Sequence, residues 1–123
     1  MKPEAARRLG RAERFLAQAE EFAAGKASEA IIHLSYYAML HAAAAVLVER
    51  TGRAPKTHGA IIGQFSNLMK ADEGEGRSLS RSFNHAQNIR LASDHGDENA
   101  TAWEATETRE AARAFVAYCR TLL

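Results

Sequence analysis

This sequence predicts an all-α bundle, and three observations carry the prediction. Apolar residues recur at intervals of three and four through most of the chain, the spacing of one helix face. Pro3 and Pro55 are the only prolines and alanine is abundant, so long helices are permitted. No stretch alternates apolar and polar residues convincingly, as a half-buried strand would. With 123 residues, 46% of them hydrophobic, the chain suits a single domain spanning residues 1–123. The expected form is an all-α bundle with short connections.

The first helix is expected from about Pro3 to Ala24. Pro3 fits a first helical turn, Leu9, Ala12, Phe15, Leu16, Ala19 and Phe22 form its stripe, and Gly25 ends it. The second runs from about Ala27 to Glu49 with Ser28 as N-cap. Its apolar residues, from Ile31 to Leu47, cover nearly the whole circumference. Such a helix is buried in the bundle or shared with a partner chain. Gly52 and Pro55 mark the next loop. Thr57 caps a short third helix carrying Ile61, Ile62, Phe65, Leu68 and Met69.

Residues 71–76 are polar and contain two glycines, so they read as a loop. The fourth helix spans about Leu79 to Ser93, where Leu79, Phe83, Ala86 and Ile89, with Arg90 and Leu91, give a mixed face, and the run from Gly96 to Asn99 breaks it. Thr101-Ala-Trp-Glu104 has the form of a capping box for the last helix. Trp103, Ala111, Ala114, Phe115, Tyr118 and Leu122 are that helix's expected stripe.

Sixteen basic and fifteen acidic residues leave a formal charge of +1, which argues against a bulk basic surface. The charges are unevenly placed. Seven basic and three acidic residues lie between Arg50 and Arg90, and the chain turns acidic after that. This favours either a local anion-binding surface or a face of solvated charges. Cys119 is the sole cysteine, so no disulfide forms within the chain, and it is expected to pack as a small apolar residue. Met1-Lys-Pro-Glu4 leads straight into charged residues, and the apolar run from Ala38 to Val48 is interrupted by His41. The expectation is a cytoplasmic protein with no leader and no membrane span.

The stretch Arg90-Leu-Ala-Ser-Asp94-His95 carries the chemistry. Arginine is a permanent cation that grips phosphate, and histidine titrates near neutral pH. Together they are the minimal equipment for metal-free RNA cleavage. Spacing alone does not single them out, because Arg53-Ala-Pro-Lys-Thr-His58 repeats it. Five positions apart on a regular helix, two side chains diverge by roughly 140°. One shared cleft therefore demands a bend at the helix end or a twofold partner. The alternative is a surface arginine and a helix-end histidine favoured by the helix dipole.

His33, Tyr37 and His41 recur at four-residue intervals on one face, either lining a cleft or sitting in a core or interface. Asp94 either orients His95 or opposes RNA. No metal site is expected: Glu29 and His33 are four apart and unrepeated, and no zinc spacing exists. Gly74 and Gly76 lack the Lys-Ser/Thr of a phosphate loop, and Ser35 lacks a nucleophile elbow, so no cofactor is expected.

Three stretches resemble a known family. Ser35-Tyr-Tyr-Ala-Met-Leu-His-Ala42 is similar to the second-helix signature of small prokaryotic HEPN-domain proteins. Gly52-Arg-Ala-Pro-Lys-Thr-His58-Gly59 is similar to the loop that follows it. Asn88-Ile-Arg90-Leu-Ala-Ser-Asp94-His95 falls where the family carries its arginine. The stretches occur in the family's order, and the resemblance covers most of the chain.

The resemblance implies a HEPN-like fold, an up-and-down four-helix bundle with a short additional helix, usually a homodimer. It further implies a metal-independent endoribonuclease with no cofactor, a toxin or defence component acting on single-stranded RNA. A nucleotidyltransferase antitoxin is the implied partner. On this chain the motif's catalytic residues are Arg90 and His95, with Asp94, Tyr37 and His41 as candidate cleft-lining residues. Two departures stand out: Leu91 follows the arginine where active members commonly have a polar residue, and Asp97 replaces the tyrosine of the toxin pattern. They keep an alternative open, a non-catalytic HEPN module that binds a partner protein or a nucleotide.

Overall fold

Helix α2 (Ser28–Thr51) is the axis of the molecule, and α1 (Pro3–Glu20), α3 (His58–Met69), α4 (Gly76–His95) and α5 (Ala102–Thr121) all pack against it. This computed structural model describes residues 1–72, 74–95 and 100–123, and of residues 94 and 95 the backbone alone. Among the described residues there is no strand. The expected all-α bundle is the fold, with α3 as its short extra helix.

The all-round apolarity of α2 is used within the chain. Fourteen of its residues, from Ile31 to Val48, are buried against the other four helices. It is long and apolar enough to cross a membrane, but most of that surface is already buried in the bundle. Gly52 ends it in the left-handed region, at φ 94°, with its N–H donating to the Val48 carbonyl. The centre of the core is a trio of rings. Phe115 lies 5.0 Å from both Phe65 and Phe83, and Tyr36 joins the trio 6.0 Å from Phe83. All four are fully buried, each contributing roughly 1.5–3 kcal/mol by burial.

Charged residues divide by face on α1. Glu13 and Glu20 turn toward α5, where Arg120 (3.1 Å) and Arg113 meet them. The Lys2 amide donates to the Glu49 carboxylate at 2.6 Å, fastening the start of α1 to the end of α2. Two of the three expected N-caps are formed. Thr57 Oγ1 accepts from the Ala60 amide, and Thr101 and Glu104 make a reciprocal capping box.

Four boundaries or faces differ from the sequence expectation. Helix α1 stops at Glu20, short of Ala24, because the Arg109 guanidinium takes the carbonyls of Ala19 and Phe22 at 3.0 and 2.9 Å. Those are carbonyls that continued helix would have occupied, and Phe22 is left exposed. Ser28 is the first residue of α2 and not its N-cap; its hydroxyl donates back to the Ala24 carbonyl. Helix α4 starts at Gly76, ahead of Leu79. A Cβ at Gly76 would collide with Asp72 and the Met69 sulfur, so only glycine allows α4 to start this close to the end of α3. Trp103 is 69% exposed, outside the inward stripe of α5. It lies roughly 180° around the helix from buried Ala112, so the two cannot share one face. Ala114 faces solvent as well.

Candidate active site

Tyr36 is where the core becomes a site. Its ring is fully buried beside Phe83, and the Arg90 guanidinium carbon stands 4.6 Å from the ring centroid. A cation over an aromatic face is worth roughly 1–2 kcal/mol when partly desolvated. The Tyr36 hydroxyl shares a 3.3 Å hydrogen bond with His58 Nδ1. Three helices thus supply one cluster: Tyr36 from α2, His58 from the start of α3, Arg90 from the last turns of α4. Local sequence explains each placement. Gly52 turns the chain back after α2, and the Thr57 cap fixes where α3 begins, so His58 is held against α2.

Further rings continue outward from this cluster. Tyr37 lies edge-on to His58 at 5.8 Å, Phe15 of α1 lies 5.7 Å from Tyr37, and His41 stacks on Phe15 at 5.4 Å with an interplanar angle of 11°. Tyr37, His41, His58 and Phe15 are all partly exposed, while Tyr36 is sealed. A recess of about 270 Å³, lined by Arg11, Arg14, Phe15 and Gln18, opens at the α1 end of the file.

The electrostatics favour anion binding. Burial lowers the His58 pKa, and the positive charge of Arg90 lowers it further. His41 is lowered to about 4, chiefly by burial and then by Arg11, Arg8 and His58. Both rings are therefore neutral at pH 7, and the positive charge sits on arginine. Burial raises the Tyr36 hydroxyl pKa, with Arg90 opposing the shift, so that hydroxyl remains a proton donor. Among the described residues, no group of three or more His, Cys, Asp and Glu converges as a metal set.

The sequence-predicted residues divide as follows. Arg90, Tyr37 and His41 are brought into one continuous cluster. His95 is the last residue of α4; its side chain and that of Asp94 lie outside the described residues, as does Asp97. Leu91 is 36% exposed. His58 and Tyr36 are the additions. Sequence spacing had treated His58 as half of a duplicate pair with Arg53, yet it joins Arg90. The signal available was the Thr57 cap, which fixes His58 on the first turn of α3. Nothing local tells that this turn meets Tyr36, 22 residues earlier.

Compared with known protein families, the chain is similar to the HEPN domain over residues 5–122, nearly its full length. A comparison with curated proteins found no match.

Proposed function

Because the chain belongs to the HEPN-domain family, we propose that it is a metal-independent endoribonuclease, a cytoplasmic toxin or defence component that cleaves single-stranded RNA. The observation that carries this reading is Arg90, held over Tyr36 on the partly open side of the bundle. A guanidinium fixed in this way is a pre-organised clamp for a phosphate and for the charge that grows on it during cleavage.

His95 supplies proton transfer. As general base it removes the proton of the ribose 2′-hydroxyl, whose oxygen attacks the adjacent phosphorus; as general acid it returns a proton to the leaving 5′-oxygen. The products are a cyclic phosphate and a free hydroxyl. In-line attack requires a nucleotide released from helical stacking, which favours single strands. A homodimer brings a second Arg90 and His95 pair to the same cleft. A nucleotidyltransferase antitoxin is the proposed partner.

Cleavage of a fluorescent single-stranded RNA, with and without EDTA, tests the proposal. Activity that survives EDTA and is lost in His95→Ala supports it. Loss in EDTA, or full activity of His95→Ala, rejects the mechanism.

The exposed Leu91 directly after Arg90, together with exposed Trp103 and Phe22, favours a second reading: a non-catalytic module that docks a partner protein. Expression separates the two. Growth arrest relieved by His95→Ala indicates the enzyme, whereas no arrest with either form indicates the module.

A further inference from the structure

Helix α1 carries its charge on two faces. Taking Arg11 as reference, Arg7, Arg8, Arg14, Phe15 and Gln18 fall within roughly 60° of it, and Glu13 and Glu20 lie roughly 160–180° away. The two glutamates are held by Arg120 and Arg113 of α5. On the arginine face, Arg8 pairs with Glu4 at 3.7 Å, while Arg7, Arg11 and Arg14 make no ion pair among the described residues. Arg11 and Arg14 are exposed. Their recess is shared with Phe15, the ring that leads through Tyr37 to His58, Tyr36 and Arg90. Steps between successive rings are 5.7 to 5.8 Å.

We propose that this face is a track for single-stranded RNA, entering at Arg11 and Arg14 of α1 and running along Tyr37 to Arg90. The inference rests on the nuclease reading and extends it by naming how substrate is held. Phosphates need cations that are not already neutralised, and Arg11 and Arg14 meet that condition. Bases need partly exposed aromatic side chains, which Phe15, Tyr37 and His41 supply and sealed Tyr36 does not. A file of aromatic side chains with arginines at both ends grips a strand without reading its sequence, because every base has a face to stack. Neutral His41, stacked on Phe15, adds a flat surface and no charge.

Fluorescence anisotropy of a labelled oligouridylate of about twelve nucleotides tests this. The full chain carrying His95→Ala serves as parent, so that bound RNA persists. Arg11→Ala/Arg14→Ala removes two exposed cations while keeping good helix formers. It is expected to weaken binding roughly tenfold near physiological salt and to flatten the log–log salt dependence by about 1.4. Tyr37→Leu is expected to weaken binding by a similar factor without changing the salt slope. Lys70→Ala/Arg81→Ala removes the same charge elsewhere, Arg81 standing roughly 180° around α4 from Arg90, and is expected to leave binding unchanged.

Equal losses in the two double variants reduce the effect to net charge and overturn the track. Unchanged affinity in Arg11→Ala/Arg14→Ala, or equally tight binding of a duplex, overturns it too. Cleavage by the wild-type chain is read separately, so a failed track with intact cleavage leaves the nuclease reading standing, and absence of both removes the two together.

Discussion

Arg90 and Tyr36 are packed as a pair, the guanidinium carbon 4.6 Å from the centroid of a ring that has no solvent exposure. The contact couples stability and function through one side chain. One end of Tyr36 belongs to the Phe83, Phe65 and Phe115 core, and its hydroxyl reaches His58. The proposed phosphate clamp is therefore mounted on the buried aromatic core of the bundle.

Graded replacement of Tyr36 separates its two jobs. Tyr36→Phe keeps the ring under Arg90 and removes the hydroxyl, with its bond to His58 and its polar contact with Arg90, so a stability loss of about 1 kcal/mol is expected. Tyr36→Leu removes the ring as well, leaving a void and no π-face, and about 3 kcal/mol is expected. Urea denaturation measures both. Equal losses in the two variants would show that the ring does not support Arg90.

Replacing Arg90 with lysine keeps the charge and discards the planar fork. Lysine cannot stack flat on Tyr36 and present two parallel donors to a phosphate. RNA cleavage is expected to fall about a hundredfold, with the melting temperature nearly unchanged. Single-turnover rates report the first and calorimetry the second. Near-normal cleavage by Arg90→Lys would exclude bidentate phosphate contact.

The sequence made the bundle readable because its signals are local and mutually consistent. The apolar circumference of Ile31 to Leu47, the Thr57 cap and the Thr101–Glu104 box each dictate structure within a few residues. Failures occurred where a distant group decided the outcome. Arg109 ends α1 from 87 residues away, and the Gly76 start of α4 depends on Met69 at the end of α3 and Asp72 just after it. The site shows the same division. Arg90 stands out by its place in the last turns of the fourth helix and by resemblance, but its neighbours Tyr36 and His58 meet only through tertiary packing. The duplicate Arg53–His58 spacing did not reveal this, because spacing along the chain carries no information about which helix a turn will face.

His41 makes stability depend on acidity. Its folded pKa is about 4, below the usual histidine value near 6.5, so the unfolded chain binds more protons between those limits. Stability is complete above pH 6.5 and is lost as pH falls toward 4. The contribution is roughly 1–2 kcal/mol after allowing for partial solvent exposure. His58, lowered by burial and Arg90, acts in the same direction. In His41→Leu the decline between pH 6.5 and 4 should become shallower, measured by urea midpoints across that range. An unchanged slope would assign the acid sensitivity to other groups.

Cys119 offers a probe of how the bundle opens. It is 1% exposed on α5, and burial pushes its thiol pKa well above the ordinary range. The thiolate is the reactive species, so burial suppresses reaction twice, by blocking access and by keeping the proton on sulfur. Ellman's reagent is expected to leave the native protein unmodified over minutes and to react with one thiol per chain in denaturing urea. Because Cys119 shares a core cluster with Phe115 and Val116, its native labelling rate should follow global unfolding. Tyr36→Leu should then accelerate labelling by roughly a hundredfold, the kinetic image of its expected 3 kcal/mol loss. Rapid stoichiometric labelling of the wild-type protein would mean that α5 opens independently of the core.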